Sequence, residues 1–235
     1  IQISNERFGE IPDLYMMDIR LALLTGDNER AGELIAKGKE KFPQKRAEIV
    51  LEEVNFHLEQ KNDEKALAAI NEAIEAFQET DEKDILKVLY FNKGVVNDKI
   101  VERLIAEDPE ANAEIIAKRR AQAEEGYAQT LELDPTNTGA YLQLANGIIS
   151  KANVKLNEAN ALDLSETEKY EALKAEATEL FKESAVKLEK AYTVEKAKES
   201  PDSGRMSIIR STLMQVYTKT GNTERYRELK AEEGK

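Results

Sequence analysis

The run GDNERAGELIAKGKEKFP, residues 26–43, decides how the rest of the chain reads. Gly26 opens it as a turn, Ala31, Leu34, Ile35 and Gly38 recur three and four residues apart, and Pro43 closes it. That spacing puts small and apolar side chains on one face of a helix, and a face built partly of Ala and Gly lets a neighbouring helix come close. The run KNDEKALAAINEAIEAF, residues 61–77, repeats the pattern 35 residues further on, with Ala66, Ile70 and Ala73 at the matching places. AEEGYAQTLELDP gives a third copy through Ala123, Tyr127, Thr130 and Pro135. The last copy is GNTERYRELK, with Gly221 at the turn and Tyr226 where the others carry a small residue.

Each of these helices follows another. PDLYMMDIRLALLT, RAEIVLEEVNFHLEQ, ILKVLYFNKGVVN, TGAYLQLANGIIS and MSIIRSTLMQVYTKT all repeat their apolar residues at helical rather than strand spacing. The third pair carries about twenty extra residues, read as a lengthened first helix, a break near Asp108 and a second helix from about Pro109 to Leu131, since proline is tolerated in a first turn. The fourth is enlarged too. Its first helix continues to about Leu162, and Ser165 with Glu168 forms a capping-box pattern that starts a long helix reaching about Lys198.

On these residues the chain resembles the tetratricopeptide repeat (TPR) family, whose helix-turn-helix unit has 34 residues. The nearest match is the helix after Asp134-Pro135, where Tyr141, Leu144 and Ala145 fill the unit's fourth, seventh and eighth places. Ala31 with Pro43, and Ala123 with Tyr127 and Pro135, match its second half. Departures occur at Asp18 and Ile19, at Glu53 and Val54, and at Arg210 and Tyr226. The resemblance implies an all-α fold, a right-handed superhelix of antiparallel helix pairs forming a single repeat domain, with units at 12–45, 47–80, 87–135, 138–201 and 205–232. Pairs this enlarged also resemble bacterial periplasmic or surface TPR proteins, which points towards an exported protein, a cytoplasmic array being the alternative.

In that family the first helices line a concave surface that holds a protein or peptide. The corresponding places here include Met16, Arg20 and Leu23, then Leu51, Asn55 and Leu58, then Phe91 and Val95, and finally Leu142, Asn146 and Ile149. Carried over, the resemblance implies a noncatalytic scaffold or adaptor whose groove has an apolar floor, with Asn55 and Asn146 bonding a ligand backbone. The alternative is a self-associating helical array whose groove is closed by its own long helices or by another copy. The family's clamp for a chaperone's terminal carboxylates is not reproduced, because Leu51 stands where lysine is needed and Gly139 and Gln143 replace the basic pair.

Composition excludes several other functions. Forty-six acidic against thirty-four basic side chains give a formal net charge of -12, which repels a phosphate backbone, and the basic clusters Arg119 with Arg120 and Arg225 with Arg227 are short. Nucleic acid is therefore not an expected partner. No stretch of the sequence is long and apolar enough to insert in a membrane. Cysteine is absent and His57 is the only histidine, so neither a thiolate site nor a multi-histidine metal site can be assembled. There is no Walker-type phosphate loop and no nucleophile elbow. No enzyme, metal or cofactor is expected, and His57 reads as a packing residue.

Overall fold

The computed structural model describes residues 11–78 and 81–233, and among these the regular structure is entirely helical. In chain order the helices are α1 (Pro12–Leu24), α2 (Asn28–Lys41), α3 (Arg46–Glu59), α4 (Asp63–Phe77), α5 (Lys83–Glu107), α6 (Ala113–Leu133), α7 (Thr138–Asn160), α8 (Thr167–Lys196), α9 (Ser203–Thr220) and α10 (Thr223–Glu233), with a 3-10 turn at Pro43–Lys45. Successive helices joined by tight turns pack side by side as antiparallel pairs, α1 with α2 through to α9 with α10. The chain divides into two compact units, Ile1–Leu133 and Asp134–Lys235.

One turn recurs inside the pairs. After α1, α3 and α9 the chain passes through a left-handed residue, Gly26 (φ 71°), Lys61 (φ 56°) and Gly221 (φ 73°). The next residue donates its N–H back to the helix just ended, Asp27 to Ala22 O at 2.9 Å, Asn62 to His57 O at 2.7 Å and Asn222 to Tyr217 O at 3.0 Å. This closes otherwise orphaned carbonyls. The same Asp27, Asn62 and Asn222 then cap the next helix, accepting from the N–H of Arg30, Lys65 and Arg225. A single short segment thus ends one helix and starts its partner.

The enlarged pairs turn differently. The second helix of the third pair begins at Ala113 rather than near Pro109. Asp108 Oδ1 accepts from the N–H groups of Glu110 and Ala111 (3.1 and 2.9 Å), and Asn112 Nδ2 donates to the carbonyls of Asp108 and Leu104. Four residues are held in this side-chain-bonded turn before the helix can start. In the fourth pair Ser165 and Glu168 form no capping box. Glu166 occupies the cap of α8, with its carboxylate turned back to the Asp163 N–H, and α7 ends at Asn160.

In the first unit Tyr15, Met16, Ile19, Ile35, Phe42 and Ile49 form one core cluster, and Val50, Val54, Ala66, Ile70, Leu89 and Val96 anchor a second. Two glycines set how near α5 and α6 lie. A Cβ on Gly126 would stand 2.7 Å from Tyr90 O and 2.9 Å from Gly94 N, and one on Gly94 would strike the Tyr127 ring. Tyr127 itself is fully buried, packs its ring on Phe91 at 5.6 Å and donates its hydroxyl to Asp98 Oδ2 at 2.5 Å. Burial raises both acids, Asp98 from its ordinary value and Tyr127 well above the ordinary phenol.

The second unit has its own core, with Ala145, Ala152, Phe181, Leu188, Ile209 and Leu213 at its centre. Its last helix, α10, is fastened largely by charge. Arg225 reaches Glu189 through two nitrogens (2.7 and 3.0 Å), Tyr217 donates to the same carboxylate at 2.8 Å, and Glu232 accepts from Tyr192 and Lys196. Leu229 adds one fully buried side chain.

Candidate functional site

In the first unit the first helices of three consecutive pairs lie together, since α3 packs against both α1 and α5. Along their contact runs an open cleft of about 460 Å³. Arg20, Leu23 and Leu24 come from α1, Glu52, Asn55, Leu58 and Glu59 from α3, and Lys99 and Arg103 from α5. Helical spacing explains the set, because residues three, four and seven apart share a face.

Leu23 and Leu58 are half-buried and form the apolar part of the lining, with the exposed Leu24 beside them. The charges above are partly fixed from outside. Arg20 Nε meets Glu52 Oε1 at 2.6 Å, and Arg103 Nη1 meets Asp63 Oδ2, at the start of α4, at 2.5 Å. Asp63 Oδ1 is buried with no hydrogen-bond partner among the described residues. Lys99 and Asn55 are exposed and make no hydrogen bond to the described residues, so their donors are available to a ligand. The cleft therefore offers two guanidinium groups held in place, a free ammonium, a free amide and an apolar strip.

Four of the residues singled out from the sequence, Arg20, Leu23, Asn55 and Leu58, meet in this cleft. Met16 does not reach it, because at 3% exposure it is part of the core between α1 and its neighbours. Leu51 packs against the second core cluster, Phe91 lies against Tyr127, and Val95 is half-buried, all outside the lining. Leu142, Asn146 and Ile149 belong to the second unit, where Leu142 and Ile149 pack on its core and Asn146 donates to Gln143 Oε1 at 3.3 Å. Sequence reasoning missed Leu24, Glu52, Glu59, Lys99 and Arg103. Leu24, Glu59 and Lys99 all fall at the thirteenth place of their units, one residue past the last groove place carried over from the family. Arg103 lies on the added length of α5, which the 34-residue pattern lacks.

Nothing at the cleft resembles a reaction centre. Among the described residues no group of three or more His, Asp and Glu side chains is placed to hold a metal ion. His57 is half-buried, lies tilted against the Phe56 ring at 5.2 Å and has its proton affinity lowered by burial. No described helix is long and apolar enough to cross a membrane.

No protein-family model matches the chain, and no curated protein matches it. Among solved structures it is similar to a TPR repeats protein from Bacteroides fragilis, at 17% identity and a TM-score of 0.43, over 88% of this chain and 98% of that one. It is similar also to YrrB, a TPR protein with an unusual peptide-binding site, at 14% identity and a TM-score of 0.41, over 95% and 97% of the two chains. BtubC from P. vanneervenii matches at 17% identity and a TM-score of 0.35, over 92% and 87%. Likenesses this loose say nothing about the site. The helix-pair fold rests on the chain's own turns and packing.

Proposed function

We propose that the first unit is a noncatalytic binding module that holds a segment of another polypeptide in the cleft between α1, α3 and α5. The observation that carries this reading is the convergence of three first helices on one open cleft whose apolar strip is bordered by unused donors, Lys99 and the Asn55 amide. An extended peptide needs such a combination. Its side chains supply apolar area, and its backbone carbonyls need donors that are not already engaged. The three cations of the lining stand with Glu52 and Glu59, and because Arg20 and Arg103 are already ion-paired, Lys99 is the one left to meet a ligand.

The reading is tested by panning a random displayed peptide library on the whole chain and measuring the enriched peptides by fluorescence anisotropy. Asn55→Arg and Lys99→Glu change exposed side chains and leave both cores untouched, so circular dichroism should be unchanged. Each is expected to weaken the peptides by about tenfold or more, which corresponds to roughly 1.4 kcal/mol. Peptides that bind both variants as tightly as the parent chain would place the binding surface elsewhere, and a library that yields no binder would remove the reading altogether.

A further inference from the structure

Helix α1 is apolar on both sides. Tyr15, Met16, Ile19 and Ala22 turn into the core. On the side away from the core Leu14, Met17, Leu21 and Leu24 follow one another at intervals of three, four and three residues, and Met17, Leu21 and Leu24 are 63%, 54% and 86% exposed, with Leu24 also at the edge of the cleft. A helix with an apolar stripe on its outer side as well as on its core side normally has that outer stripe covered. The other described end of the chain is unlike it. Exposed Glu224, Arg227, Glu228 and Lys230 give α10 the charged outer surface that a terminal helix of a repeat array requires.

We propose that the outer stripe of α1 is the interface of a weak two-fold dimer of this chain. Intervals of three and four are those of a coiled-coil seam, in which each side chain fits between those of the facing helix. Such a stripe is its own complement. With two copies antiparallel about a two-fold axis, Leu14 of one meets Leu24 of the other, and Met17 meets Leu21. Pairing against α10 would instead bury its charges without partners, so the self-contact closes as a pair and does not propagate.

Charge explains why copies of so acidic a chain can meet there. The charged residues of α1 are Asp13, Asp18 and Arg20, and each is already paired within its own copy, with Lys45 at 3.0 Å, Arg30 at 2.5 Å and Glu52 at 2.6 Å. The stripe is thus bordered by neutralised pairs, while the net charge of -12 repels a second copy over most other approaches. Four side chains on one helix cover less than the roughly 800 Å² per partner of a standard stable interface. The association is therefore concentration-dependent, and it strengthens as salt screens the repulsion.

Sedimentation velocity from about 5 µM to about 500 µM spans the range of such an affinity. The parent chain is expected to rise from its monomer mass of 26.5 kDa towards twice that value, more steeply at high salt. The double variant Met17→Glu/Leu21→Glu, altered only at exposed positions, is expected to stay at 26.5 kDa. Because the chain has no cysteine, Leu21→Cys supplies a single thiol, which a short bis-maleimide should join between copies. Ser207→Cys, on the exposed surface of α9, should remain unjoined. Four results would overturn the proposal: a parent chain that stays monomeric throughout, a double variant that dimerises equally, equal joining of the two thiols, or a mass that grows without limit.

Discussion

At Gly126 the space for a side chain is taken by the backbone of the facing helix, which cannot move aside as a side chain can. Gly126→Ala is therefore expected to lower stability by about 1–3 kcal/mol through overpacking. Gly32→Ala, in α2 with nothing within 4 Å, should raise it by about 0.5–1 kcal/mol through helix propensity. Urea denaturation reads both as shifts of midpoint at constant slope. Lys61 makes the reverse case, since it holds a left-handed conformation that its neighbours in role, Gly26 and Gly221, adopt freely. Lys61→Gly should gain about 1 kcal/mol, measured the same way. The two turn glycines announce themselves in the sequence, but a lysine gives no sign of a left-handed backbone. Only the Asn that follows it, matching Asp27 and Asn222, hints that Lys61 does the same task.

The joint between α8 and α9 depends on Glu195, which is 1% exposed and accepts from Lys198 Nζ at 2.7 Å and from the Asp202 N–H at 3.0 Å. Burial alone would raise this carboxyl, but those bonds outweigh it and hold the group at about 2 against an ordinary 4.5. A folded value below the unfolded one means that the ionised form is the stabilising one. Its contribution is complete above about pH 4.5 and disappears as the pH falls towards 2. Glu195→Gln should therefore cost about 2 kcal/mol at neutral pH. In denaturation curves taken across that acid range, the gap from the parent chain should close. Helix ends of this kind are where sequence reading failed. Periodicity places the body of α6 and α8, but their first turns were decided by which side chain reached which N–H. Asp108 took the N–H groups of Glu110 and Ala111 ahead of the proline signal, while Glu166 stands at the cap of α8 with its carboxylate turned back to the Asp163 N–H and no capping box forms.

Over the whole molecule, helix pairing could be read from repeated small residues because close packing leaves a mark on composition. The site was only partly legible. The unit's standard places lead to Arg20, Leu23, Asn55 and Leu58, whereas Lys99 and Arg103 enter the cleft because α5 continues past the length that the family pattern allots. The division into two units, each with its own core, predicts that damage stays local. Ile70→Ala empties a fully buried site in the first unit and should cost it about 2–5 kcal/mol. Native-state hydrogen exchange should show faster opening in α4 and α5, with protection in α8 unchanged. The tyrosines that lock both units have an optical consequence. The chain contains no tryptophan, so its ultraviolet emission comes from eight tyrosines, of which Tyr127, Tyr192 and Tyr217 donate to carboxylates. An excited phenol is a far stronger acid and passes its proton to such a neighbour, which darkens it, so this protein should glow more brightly unfolded than folded.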